Sequence, residues 1–231
     1  MEKLKNSTNS LEQTNPDTTS TKIRIENLLT LDENFNDFLK ILELYKLKGV
    51  ARNCSNIYHD SKENIDYERK ETTAEHVCSL INLADYFIFS VPEFSKLDRL
   101  KVYDLIKCHD DPEIITEDTC ISDEEGKEVK KKSEDEAIPI LIGSLPEKLK
   151  QMRLDLINEY REGTTPEPKF VKAVDKMDAL VHELQYPKDR GPKGFNEKTV
   201  RKWFQPAFEY SPIFMNYFEN IMKYLKINNY F

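Results

Sequence analysis

Between positions 170 and 184 the chain sets Phe170, Val174, Met177, Val181 and Leu184 three or four residues apart, with Asp175, Asp178 and His182 in a second row beside them. Only an α-helix brings residues of that spacing onto one face. The stripe therefore predicts a helix, opened by Pro166 and Glu167, that buries one side and carries a row of ionisable groups along its edge. Such a helix needs helical partners, and the rest of the chain offers them.

Apolar residues recur at helical intervals along most of the length. Ile23, Ile25, Leu28 and Leu29, then Phe35, Phe38, Leu39, Leu42 and Leu44, predict two short helices. Glu71 to Val91 reads as a long helix opening at Thr72 or Thr73, with Leu80, Leu83, Ala84, Phe87 and Ile88 on its inner face and His76 one turn before Leu80. Another runs from Leu97 to Asp110, where Leu105 and His109 share a face and Pro112 constrains the chain just beyond. Ser133 reads as the cap of a segment holding Ile138, Ile140, Leu141 and Leu145, and Pro146 separates it from a helix over Glu147 to Tyr160. Helical segments rich in Trp203, Phe204, Phe208, Phe214, Tyr217 and Phe218 run to Phe231 and are expected to cover the core.

Between these lie segments expected to be irregular. Gly49 to Lys70 carries Asn53, Ser55, Asn56, Asp60, Ser61 and Asn64, whose side chains compete for backbone hydrogen bonds and favour turns. The charged run Ser122 to Lys132 reads as an exposed loop, and a further loop follows Pro187. With no strand-like alternation and no internal repeat, the expected architecture is all-α, an irregular helical bundle. Its organisation reads as a polar, flexible tail over 1–22, a helical core over 23–187 and a C-terminal helical extension over 188–231 packed on that core.

Composition narrows the function. Six glycines in 231 residues leave no Gly-rich turn of the Rossmann or Walker kind. A net charge of −8, from 42 acidic against 34 basic residues, opposes binding to a nucleic acid polymer. Cys54, Cys78, Cys108 and Cys120 lack CxxC pairing and read as reduced thiols. With no signal-peptide pattern and no apolar run of membrane length, the chain is expected to be cytoplasmic and without a membrane partner. A small phosphate ester neutralised by a metal remains compatible with the acidic balance.

One constellation carries chemistry. His76, the adjacent pair His109 and Asp110, and Asp175 each fall beside apolar core positions, where a polar group needs a partner. One divalent ion (Mn, Co, Zn, Fe or Mg) would supply it, since neutral imidazoles and carboxylates are its ligands and two carboxylates offset its charge. Adjacent residues diverge by about 100° on a helix, so His109 and Asp110 converge only if the helix ends between them or the ion lies between their directions. Glu113, four residues after His109 and three after Asp110, falls over the same place and suits proton transfer or orientation of water.

These residues sit in a recognisable order. ETTAEH at 71–76, CHDDPEIITEDT at 108–119 and FVKAVDKMDAL at 170–180 resemble the HD-domain hydrolases of the 5′-deoxynucleotidase type, over a span from Phe35 to Tyr186. The resemblance implies metal ligation by His76, His109, Asp110 and Asp175, a catalytic role for Glu113 and for Asp118, and binding of the substrate phosphate by Arg52. It implies hydrolysis of a deoxynucleoside 5′-monophosphate as the activity, with a small nucleotide as partner and a homodimer as the assembly. Other branches of the superfamily hydrolyse nucleoside triphosphates, alarmones or cyclic nucleotides, and a non-catalytic nucleotide-binding module is a further alternative. The chain departs from the pattern at three places: a long stretch between Arg52 and His76, Asn53 where some relatives have an aromatic, and Glu117 in place of the glycine of a GDT motif.

Overall fold

The computed structural model describes residues 41–118, 124–143, 145–185 and 196–230. The expected N-terminal tail, most of the two helices placed before Tyr45, and the loop after Pro187 lie outside the described residues. Residues 41–45 are helical.

The polar stretch expected to be a loop is instead an antiparallel hairpin, β1 (Ala51–Asp60) and β2 (Ile65–Thr72). Its register runs from Ala51 opposite Thr72 to Asp60 opposite Ile65, with an irregularity just after Ala51. The turn is built by Asp60, whose Oδ1 accepts from the backbone N–H of Lys62 at 2.8 Å and of Glu63 at 3.3 Å, while Asn64 takes a positive φ of 52°. The hairpin escaped the sequence reading because it lacks an apolar face. Ile57, Ile65 and Tyr67 are exposed, and its side-chain order comes from Tyr58 stacked on Tyr67, with Arg69 3.6 Å from the Tyr58 ring centre.

Its end leads directly into the first long helix. Thr72 forms a capping box with Glu75, and α1 (Thr73–Ser90) follows, its inner face lined by Thr73, His76, Leu80, Ala84, Phe87 and Ile88, while Leu83, expected on that face, is only half-buried. The N–H of Thr73 donates to the Val50 carbonyl at 2.9 Å, tying the helix start to the chain entering β1. Asp98 then caps α2 (Arg99–Cys108) through the N–H groups of Leu100 and Lys101, and a one-turn helix α3 (Glu113–Thr116) follows Pro112.

The charged run expected to be a loop is helical where it is described. Its described part opens α4 (Glu124–Gly143), so Ser133 is interior to a helix and caps nothing. Lys and Glu are good helix formers, and Lys130 pairs with Glu134 one turn on. The run looks like a solvated loop because one face of it is solvated. Ile138, Leu141 and Ile142 are buried and Ile140 is exposed; Ile138, Ile142 and Leu145 form a small cluster with Ile157 of α5 (Glu147–Glu162).

The main core gathers around α6 (Pro166–Gln185), packed by α1 and α2. Phe170, Val174 and Met177 are buried as expected, but Leu180 takes the inner position and Val181 is exposed. The helices α7 (Glu197–Phe208) and α8 (Pro212–Ile227) contribute Val200, Phe208, Phe214, Phe218, Met222 and Leu225 to the same cluster. Phe214 lies at its centre, 4.8 Å from the Phe87 ring, 5.0 Å from Phe94 and 5.8 Å from Phe170. This apolar packing holds the inner ends of α1, α2 and α6 together. Among the described residues the fold is all-α apart from the hairpin.

Candidate metal centre

Those three helices bring together the ionisable residues that the spacing singled out. His76 is the fourth residue of α1 and fully buried. Helix α2 ends at Cys108; its C-cap His109 keeps helical dihedrals, φ −64° and ψ −34°, and Asp110 lies in the following turn, so the two side chains meet at a point between their directions. His76 Nε2 lies 3.2 Å from Asp175 Oδ1 and 3.9 Å from Asp110 Oδ2, and His109 Nε2 lies 3.2 Å from Asp110 Oδ2.

The far edge of each imidazole is already committed. His76 Nδ1 is 2.8 Å from Asp178 Oδ2, and His109 Nδ1 is 2.7 Å from the Ile106 carbonyl. Both acceptors require the proton on Nδ1, which turns an Nε2 lone pair toward Asp110 in each ring. His76 Nε2, His109 Nε2 and Asp110 Oδ2 are all buried without a hydrogen-bond partner. One ligand atom from each of His76, His109 and Asp110 lies within 4.8 Å of the others. With its Nε2 proton displaced, His76 joins His109 and Asp110 in offering three converging electron pairs of the kind that hold a divalent cation.

Charge around the group is finely opposed. Burial works against a charged His76, yet the Asp175 and Asp178 carboxylates outweigh it and raise its pKa to about 9. Burial likewise opposes ionisation of Asp175, but Lys176 and His76 hold it well below the usual carboxylate range. Lys176 Nζ is 2.9 Å from Asp175 Oδ2.

Arg52 reaches the group from β1, its Nη1 3.7 Å from Asp110 Oδ2 and its Nε 3.3 Å from Glu71 Oε2. Burial disfavours its charge, and the field of Asp110, Asp175 and Asp118 more than restores it. Glu113 opens α3 and is buried; Thr73 Oγ1 donates to it at 3.2 Å and Lys130 Nζ at 3.1 Å. Burial, then the nearby Asp110 charge, raise its pKa to about 7 against the pull of Lys130. Asp118 is half-buried just beyond α3 and bears electrostatically on both Arg52 and Glu113. All seven residues singled out from the sequence thus fall in one neighbourhood. The sequence reading assigned nothing to Asp178, although its place three residues after Asp175 in the polar row was the available signal, and nothing to Lys130, which a loop reading of the charged run hid.

A family model for the HD domain matches residues 46–203, well over half of the chain. The chain belongs to the HD-domain family. Within it, this HD-domain chain is 31% identical over 143 residues to the 5′-deoxynucleotidase HDDC2 of Xenopus laevis, covering 60% of the chain and 69% of the relative. It is 28% identical over 143 residues to the human 5′-deoxynucleotidase HDDC2, covering 60% and 68%. Among solved structures, the HD-domain fold described here is similar to a predicted metal-dependent phosphohydrolase from Magnetospirillum magnetotacticum, with a TM-score of 0.69, 24% identity, and 85% and 94% of the two chains covered. It is also similar to an HD-domain phosphohydrolase from Listeria innocua, with a TM-score of 0.57, 17% identity, and 75% and 80% covered.

Proposed function

We propose that this chain is a metal-dependent phosphohydrolase that converts deoxynucleoside 5′-monophosphates and water to deoxynucleosides and phosphate. The observation that carries the reading is the set of three buried, unpartnered electron pairs of His76, His109 and Asp110, with Arg52 and Glu113 beside them. Relatives named as 5′-deoxynucleotidases support the choice of substrate.

His76, His109, Asp110 and Asp175 would hold the ion. When bound, a divalent ion supplies Lewis acidity toward the phosphoryl oxygens and makes water more acidic. Arg52 binds the phosphate, because its planar fork matches two phosphate oxygens and its charge survives burial. Glu113, with a pKa near 7, can hold or release a proton at neutral pH. It takes a proton as water attacks phosphorus, and Asp118, whose charge bears on Glu113, assists in returning one to the departing 5′-oxygen. The Thr73 hydroxyl and the Lys130 ammonium fix the Glu113 carboxylate for that task.

No helix among the described residues is long and apolar enough to cross a membrane. A cytoplasmic location and a homodimer are further parts of this proposal, checked by fractionation and by sedimentation.

The test is phosphate release from deoxy- and ribonucleoside mono- and triphosphates with Mn, Co, Mg or Zn. Selective release from deoxymonophosphates, lost in Asp110→Ala, is the expected result. A preference for triphosphates or ribonucleotides would reassign the substrate, and silence on every ester would point to a nucleotide-binding module.

A further inference from the structure

His76 has a second side. Through Asp178 it borders a cleft of about 380 Å³ lined among others by Asn56, Glu71, Asn82, Tyr86 and His182. Beside this cleft the Cys54 thiol, the Glu71 carboxylate and the His182 imidazole converge, one donor atom from each lying within 4.8 Å of the others. They come from β1, β2 and α6, so the folded chain alone assembles them.

We propose that Cys54, Glu71 and His182 form a second metal site, one that takes a thiophilic divalent ion such as zinc. The donor chemistry separates it from the first centre. Thiolate, imidazole and carboxylate together are ligands that zinc favours, whereas the first centre offers only nitrogen and oxygen. Cys54 Sγ is 3.3 Å from Glu71 Oε2, against about 3.6 Å between sulfur and oxygen ligands of a tetrahedral zinc with ordinary bond lengths. Glu71 is buried, and its carboxylate is oriented by Asn56 Nδ2 at 3.2 Å and Arg52 Nε at 3.3 Å. His182 stands one helical turn beyond Asp178, which places it over the same cleft.

The cleft provides an entry path and room for a water as fourth ligand. Without an ion the Cys54 thiol is held neutral, burial and the Glu71 charge pushing its pKa up to about 12. On binding, its proton leaves to solvent, and thiolate and carboxylate together balance the two positive charges. Glu71 also holds Arg52, so occupancy here bears on the arginine beside the first centre.

The test is a cobalt(II) titration of the full chelator-stripped chain, followed in the near ultraviolet. A thiolate-to-cobalt charge-transfer band can arise at this site and not at the His76, His109 and Asp110 group, which contains no sulfur. The band should grow with cobalt, vanish on addition of zinc, be absent in Cys54→Ser and persist in Cys78→Ser. In His182→Ala it should require roughly ten- to a hundred-fold more cobalt. Bound cobalt without the band, or a band retained by Cys54→Ser, overturns the proposal. Should Cys54→Ser fail to fold by circular dichroism, a band unmoved in His182→Ala overturns it equally.

Discussion

Asp178 fixes the orientation of His76 across 102 positions of sequence: its Oδ2 lies 2.8 Å from Nδ1 of the imidazole, the edge opposite the Nε2 that faces Asp175. The contact sets the tautomer, and through it the availability of the lone pair that faces Asp110 and Asp175. Asp178→Ala is expected to leave the fold intact and to weaken divalent metal binding by roughly ten- to a hundred-fold. A chelator competition titration measures this directly, and unchanged affinity would remove Asp178 from the metal centre.

Much of this centre is legible in the sequence. His76 could be placed because it lies one turn from Leu80 on the stripe that the core demands, and Asp175 because Val174 and Met177 bracket it on a buried helix. His109 and Asp110 were readable as a pair, but their meeting, with His109 Nε2 3.2 Å from Asp110 Oδ2, depends on side-chain rotamers that residue spacing does not fix. The hairpin was not legible. Sheet patterns are read from alternating apolar faces, and β1 and β2 are held by backbone pairing and by Tyr58, Tyr67 and Arg69 on an exposed surface. Arg52 was placed beside the site by resemblance alone, and the hairpin is the element that carries it there.

Glu113 makes stability depend on pH in a definite direction. Its carboxyl titrates near pH 7 in the folded chain against 4.5 ordinarily, so the folded state binds more protons between those values. The contribution is fully present below about pH 4.5 and is lost as the pH rises through 7. In metal-stripped protein, wild type should lose about 3 kcal/mol relative to Glu113→Gln between these limits. Urea denaturation of both proteins at several pH values measures the difference. Parallel curves would show that Glu113 titrates in the folded chain as it does in the unfolded one.

Arg153 and Asp111 form an ion pair that is almost wholly buried, joining α5 to the turn that carries Asp110. Removing one partner strands the other charge out of water, which costs more than the pair itself contributes. Arg153→Met is expected to destabilise by about 3–5 kcal/mol. Combined with Asp111→Leu, it should recover most of that loss. Thermal melts of the single and double variants check both statements, and equal melting temperatures for Arg153→Met and wild type would contradict the first.

Glu117 occupies a conformation that few side chains tolerate. It ends α3 with φ 59° and ψ 164°, a region populated almost only by glycine, where a Cβ crowds the backbone. The strain lies between Glu113 and Asp118, so the turn that aims both carboxylates is bent there at an energetic cost. The GDT motif that this stretch resembles has glycine at this position, which suits the same bend without a Cβ. Glu117→Gly is therefore expected to stabilise the folded chain by about 1 kcal/mol, the relief of strain exceeding the added entropy of the unfolded glycine. The geometry of the site should persist, so the rate of phosphate release should stay within about twofold of wild type, since a change near 0.4 kcal/mol is all that factor represents. Urea denaturation read beside the activity assay tests the pair of expectations. A destabilised variant would mean that the Glu117 side chain makes contacts worth more than the strain it imposes.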